Sequence, residues 1–148
     1  MIVPAYNADR YIGFTIEALL RQTHADLEVI VVDDGSTDRT HDIACGYAAE
    51  DSRITVLTQR NAGVATARNR AIEVAKGEFL GFVDADDIWL PGRLKTHVEA
   101  LERNPTAAMA MDPTVFWKSW NRNVAPWWRP WACEDVSYRT GLAHGRVV

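Results

Sequence analysis

Short apolar runs alternate with segments of helical period between Met1 and Met111, and few folds accept that alternation. Met1–Pro4, Leu27–Val32, Ile54–Leu57, Phe79–Val83 and Ala107–Met111 have the length and apolar character of strands. Between the first two, Ile12, Ile16, Leu19 and Leu20 fall at i, i+4, i+7 and i+8. That spacing predicts a helix with Asn7 as a candidate cap. A second helix runs to about Ala49, with Ser36 or Thr37 able to cap it. A third runs from about Val64 to Lys76 and stops at Gly77. A fourth begins near Pro91, places Leu94, Val98 and Leu101 on one face, and ends at Asn104-Pro105. Strands separated by helices build a mostly parallel sheet with helices on both faces, so the expected class is α/β.

Ligands in such sheets bind beyond the carboxyl ends of the strands. Two acidic clusters stand at those ends: Asp33-Asp34 after the second run, and Asp84-Ala85-Asp86-Asp87 after the fourth. Carboxylates this close repel and lose hydration unless a cation compensates. In an extended segment Asp84 and Asp86 point to the same side, because side chains alternate with period two. Hard oxygen ligands suit Mg²⁺ or Mn²⁺, which complete their shell with phosphate oxygens. The plainer reading is a solvated acidic loop that ends a strand. A calcium loop is disfavoured, because Asp33–Asp38 lacks the alternate-position acids and the distant Glu. A phosphatase with an Asp nucleophile has no partner motif here.

The chain has 148 residues, which fits one domain, and its 47% apolar and 24% charged content is that of a globular protein. A net charge of −4 argues against a general nucleic-acid-binding role. No apolar run approaches the roughly 20 residues of a membrane span. Met1 leads straight into Ile2-Val3-Pro4, without the pattern of a secretory leader. Cys45 and Cys133 form neither a disulfide framework nor a metal spacing, which is compatible with a reducing cytosol.

Four motifs occur in order: Val3-Pro4-Ala5-Tyr6-Asn7, Val31-Val32-Asp33-Asp34-Gly35-Ser36-Thr37-Asp38, Asn61-Ala62-Gly63 with Arg68-Asn69, and Phe82-Val83-Asp84-Ala85-Asp86-Asp87. Together they resemble the family 2 inverting glycosyltransferases. The resemblance covers residues 1–111 and implies a GT-A-type, Rossmann-like fold that binds a nucleotide sugar, most often UDP-linked. It implies that Pro4, Ala5 and Tyr6 line the nucleotide pocket, and that Asp34 hydrogen-bonds the base with Asp33 beside it. It places Arg68 on the nucleotide, Asp84 on the ribose or metal, and Asp86 on a Mn²⁺ or Mg²⁺ ion. Read alone, Asp33 and Asp34 also suit stabilisation of a helix N-terminus, and Arg68 a surface position on an Ala-rich helix.

The remaining residues, 112–148, read as a shortened acceptor side or an atypical tail. The family uses a late acidic pair to supply the base that deprotonates the acceptor hydroxyl. Glu134-Asp135 matches that pair, so the resemblance makes Asp135 the candidate base; a surface acidic pair at a helix start fits the same residues. Five of the six tryptophans lie between Phe116 and Trp131. Trp117 and Trp120 suit an acceptor groove, a membrane interface or packing against the sheet. The implied acceptor is a carbohydrate or a lipid-linked saccharide, and the implied location is cytoplasmic, with peripheral contact at the inner face of a membrane. The competing function is a nucleotide-sugar-binding remnant or subunit without turnover.

Overall fold

The structure is a computed structural model, and it describes residues 1–111. Three parallel strands lie in the order β1 (Ile2–Ala5), β2 (Val29–Asp33), β3 (Ile54–Thr58). Ile2 stands opposite Ile30 and Ala5 opposite Asp33; Val29 stands opposite Ile54 and Asp33 opposite Thr58. All nine residues of β1 and β2 are buried, as expected of a parallel sheet covered on both faces.

The two faces separate by residue parity. Val3, Val29 and Val31 pack against Ile12, Ile16 and Leu19 of α1 (Ile12–Leu20) and against Ala44 of α2 (Thr40–Glu50). Val83, Trp89 and the Leu94, Val98 and Leu101 stripe of α4 (Arg93–Arg103) join the same core. Ile2, Ile30 and Val32 point the other way and bury Ala67 and Ala71 of α3 (Val64–Val74). The small alanines let α3 lie close to the sheet.

Several expected boundaries shift. Phe79–Val83 is not a full strand: it meets β1 at a single parallel bridge, Ile2 to Phe82. The chain bends first, where Glu28 Oε1 accepts from the Lys76 and Gly77 N–H groups, so only the end of the run reaches the sheet. Ile2 N–H then donates to Gly81 and Val83 N–H to Ile2. Ala107–Met111 has no ladder partner among the described residues and is not a strand. Asn7 does not cap α1; its backbone is left-handed, with φ of 49°. Its Oδ1 accepts instead from the Thr37 N–H at 2.8 Å, and its own N–H donates to Ser36 Oγ at 3.0 Å. The capping expected of Ser36 or Thr37 falls to Asp38, whose Oδ1 accepts from the Thr40 N–H at 2.9 Å. The third helix ends at Val74, two residues before Lys76. Residues 112–148, with Asp135, Trp117 and Trp120, lie outside the described residues.

Candidate functional site

The carboxyl ends of β1, β2 and the Phe82 bridge open onto one cavity of about 460 Å³. Pro4, Ala5 and Tyr6 line it from β1, Asp34 from the end of β2, Val64 and Arg68 from α3, and Asp84, Ala85 and Asp86 from the chain beyond the bridge. The structure thus brings together every expected donor-side residue except Asp33. That side chain is buried, and its Oδ1 accepts from the Ser36 N–H at 3.2 Å, closing the turn after β2 outside the cavity lining. Asn7, Ala8 and Tyr11 also line the space.

Asp34 is only 4% exposed, yet both of its oxygens are engaged. Oδ1 accepts from Gln59 Nε2 at 2.7 Å and from the Ala62 N–H at 2.8 Å, and Oδ2 accepts from the Gly63 N–H at 2.9 Å. Burial alone would push this carboxyl up; the three donors outweigh it and hold it below the ordinary carboxylate value. One carboxylate therefore ties the end of β2 to the turn that launches α3. Gly35 makes the approach possible. Its φ is +74°, and a Cβ there would stand 2.8 Å from the Asn61 nitrogen.

Arg68 lies on the first turns of α3 and crosses to the acidic segment. Its Nη2 is 2.6 Å from Asp84 Oδ1, and its guanidinium sits 5.9 Å from the centre of the Phe82 ring. Asp86 is exposed and has no hydrogen-bonded partner among the described residues. Next to it, burial and the charges of Asp84 and Asp86 raise the Asp87 carboxyl above its ordinary value, against a smaller opposite pull from Arg93. Among the described residues one guanidinium, that of Arg68, pairs with Asp84, and Asp86 lies exposed on the same cavity lining.

Residues 1–143 match the family described as Glycosyl transferase family 2. The chain belongs to that family. It is 39% identical over 110 residues to the Escherichia coli UDP-Glc:alpha-D-GlcNAc-diphosphoundecaprenol beta-1,3-glucosyltransferase WfgD, covering 74% of this chain and 43% of that protein. Among solved structures it is similar to S. aureus TarS 1-349 in complex with UDP-GlcNAc, with a TM-score of 0.65 and 35% identity over 70% of this chain and 31% of that one. It is also similar to the mannosyltransferase PcManGT from Pyrobaculum calidifontis in complex with GDP-Man and Mn²⁺, with a TM-score of 0.63 and 32% identity over 72% of this chain and 32% of that one. The chain spans less than half the length of these relatives. The fold of this family 2 chain is GT-A.

The acidic segment fits a hard divalent cation. Asp84 and Asp86 both line the cavity and offer hard oxygen donors, and after burial their charges raise the neighbouring Asp87 carboxyl. Among the described residues no cluster of three His, Cys, Asp or Glu gathers to cage a metal. Two carboxylates with phosphate and water completing the shell is a common arrangement for Mg²⁺. No helix among the described residues is long and apolar enough to cross a membrane.

Two polar side chains outside the four motifs shape the site. Gln59 completes the Asp34 clamp, and nothing local in the sequence marks it. Thr15 is completely buried on the apolar stripe of α1. A hydroxyl on a stripe of Ile and Leu is a usable signal, because a buried polar group needs a partner.

Proposed function

We propose that this family 2 chain provides the donor side of an inverting, divalent-metal-dependent transferase. The reaction moves a sugar from a nucleotide diphosphate donor, UDP foremost, to an acceptor hydroxyl. One observation carries the reading. Aromatic and acidic side chains from the ends of β1, β2 and the Phe82 bridge, with a cationic one from α3, line a single cavity at the carboxyl edge of a parallel sheet. Its volume is that of a small-ligand site.

The proposed roles follow from placement. Pro4, Ala5 and the half-exposed Tyr6 wall the nucleoside; Asp34, with lone pairs left after its three bonds, accepts from the base. Asp33 supports Asp34 from behind the turn. Arg68 meets the diphosphate, Asp84 the ribose or metal, and Asp86 the metal. A bound Mn²⁺ or Mg²⁺ would supply Lewis-acid stabilisation of the departing diphosphate. For inversion, a carboxylate deprotonates the acceptor hydroxyl opposite the leaving group. Asp135 takes that role by the family resemblance. The names of WfgD and of the Mn²⁺ complex of PcManGT support a lipid-linked saccharide acceptor and a metal. Such an acceptor brings the protein to the inner face of a membrane by peripheral contact, with polysaccharide synthesis the process served.

The test is calorimetric titration of UDP, with and without Mn²⁺, into the wild type and Asp86→Ala. UDP binds the wild type more tightly with Mn²⁺, and that gain disappears in Asp86→Ala. No UDP binding, or a gain that survives the substitution, overturns the reading. Tight donor binding without transfer to any acceptor would assign the non-catalytic alternative.

A further inference from the structure

The acidic segment is anchored from behind by α1. Thr15 Oγ1 donates to the Ala85 carbonyl at 2.8 Å, and both groups are buried. Ala85 is the residue between the two acids. Its side chain is buried, whereas Asp84 and Asp86 are exposed. The bond therefore holds the Ala85–Asp86 peptide, one of the two whose rotation would swing Asp86 relative to Asp84. The chain just beyond the C-terminus of α1 grips the segment further on. Gln22 is 5% exposed; its Nε2 donates to the Leu90 carbonyl at 2.9 Å and its Oε1 accepts from the Leu94 N–H at 3.0 Å. The Thr23 N–H donates to the Pro91 carbonyl at 2.7 Å. Of these anchors, Thr15 alone acts inside the acidic segment.

A segment of like charges drifts apart unless something fixes its backbone. Cavity-facing contacts do not do this, since the Asp84 side chain is 58% exposed and its ion pair with Arg68 is screened by water. A buried hydroxyl-to-carbonyl bond is not screened, and losing its donor leaves the carbonyl unsatisfied.

We propose that Thr15 is a positioning residue: its hydroxyl, by fixing the Ala85 peptide against α1, sets the direction of the Asp84 and Asp86 carboxylates. The inference rests on the reading of those carboxylates as the donor-facing and metal-facing groups. It assigns to a helix on the far side of the segment a share of the metal dependence.

Two substitutions separate hydroxyl from bulk. Thr15→Val keeps the shape and removes the donor; Thr15→Ser keeps the donor and removes a methyl. Titration of UDP with and without Mn²⁺ shows the Mn²⁺-dependent gain falling about fivefold in Thr15→Val, the factor one ordinary hydrogen bond carries. Its metal-free UDP affinity falls by less than the Mn²⁺-dependent gain does, and Thr15→Ser restores both. A second arm needs no ligand. The Asp87 N–H donates to the Asp84 carbonyl at 3.0 Å across the segment. Its hydrogen exchange is about fivefold faster in Thr15→Val and unchanged in Thr15→Ser. Thr15→Ala gives the same readouts should the valine variant fail to fold. An undiminished Mn²⁺ gain or unchanged exchange in Thr15→Val overturns the assignment, as does a serine variant that behaves like valine. If wild type shows no Mn²⁺-linked UDP binding, the proposed function falls, and the exchange arm alone decides the role of Thr15.

Discussion

Arg68 and Asp84 close one side of the cavity, with Nη2 of the arginine 2.6 Å from Oδ1 of the aspartate. The side chains are 36% and 58% exposed, so water screens the pair and it adds under about 1 kcal/mol to stability. Its value lies in placement: it holds a guanidinium beside the carboxylates that face the same space. A phosphate entering the cavity competes with Asp84 for that guanidinium.

Arg68→Ala therefore separates stability from binding. The melting free energy changes by less than about 1 kcal/mol. UDP affinity falls about tenfold or more, the usual loss of a hydrogen bond to a charged group. Calorimetry and thermal melts on the same sample check both. Loss of stability without loss of affinity would make Arg68 a structural residue, and no change in either would leave it the surface arginine of an Ala-rich helix.

Asp34, unlike Arg68, carries stability as well. Asp34→Asn turns one acceptor into a donor that faces the Gln59 amide or a backbone N–H, and costs about 2–3 kcal/mol at neutral pH. The sign of the pH dependence is fixed by the lowered carboxyl. The folded value lies below the ordinary 3.8, so the stabilisation is present above that pH and is lost as pH falls through the folded value. Denaturant titrations of both proteins from pH 7 to pH 3 show the difference holding down to about pH 4 and shrinking below it. A gap that widens in acid contradicts the clamp.

The carboxyl-edge convergence was legible because a parallel sheet puts the ends of β1 and β2 at one edge, and the acidic run follows the segment that bridges to β1. The period-two alternation expected of Asp84 and Asp86 does not hold, because residues 85 and 86 form a turn closed by the Asp87 N–H on the Asp84 carbonyl. The length of the Phe79–Val83 strand was not legible, since Glu28, far away in sequence, bends the chain at Lys76 and Gly77 before it reaches the sheet. Nor was the fate of Asp34, which depends on the turn holding Gln59, Ala62 and Gly63. Residue type alone makes Asn7 a helix cap; its side chain instead laces the β1 exit to the β2 exit through Thr37. These three are long-range hydrogen bonds by polar side chains, which local propensity does not see.

Asp87 tests the crowding of the acidic segment. Burial, then the charges of Asp84 and Asp86, raise its carboxyl above 3.8. A raised acid weakens the fold as pH rises: the penalty is absent below the unfolded value and full above the folded one. Asp87→Asn thus stabilises the protein at pH 7 by about 0.5 kcal/mol or less, in the range of surface changes, and leaves it unchanged near pH 3. Added Mn²⁺ narrows the difference between the variants at pH 7, because a cation relieves the same repulsion. Matched thermal melts at the two pH values, with and without Mn²⁺, read all of this. A neutral-pH loss in Asp87→Asn would mean that the carboxylate is stabilised by a partner and not opposed by its neighbours.

Two glycines give opposite outcomes from the same substitution. Gly46 lies inside α2, and a Cβ there meets nothing within 4 Å. Gly46→Ala raises stability by about 0.5–1 kcal/mol through the unfolded chain and helix propensity. Gly35 has φ of +74°, and a Cβ there would approach the Asn61 nitrogen to 2.8 Å and the Gln59 carbonyl to 3.2 Å. Both obstacles are backbone and cannot rotate away. Gly35→Ala costs about 2 kcal/mol or more, from left-handed strain and from pushing residues 59–61 off the turn. That displacement also pulls Gln59 and Ala62 from Asp34, so UDP affinity falls with stability in Gly35→Ala and stays constant in Gly46→Ala. Should Gly35→Ala melt no lower than the wild type, the close approach of the β2 exit to the β3 exit is wrong, and the cavity wall built on Asp34 goes with it.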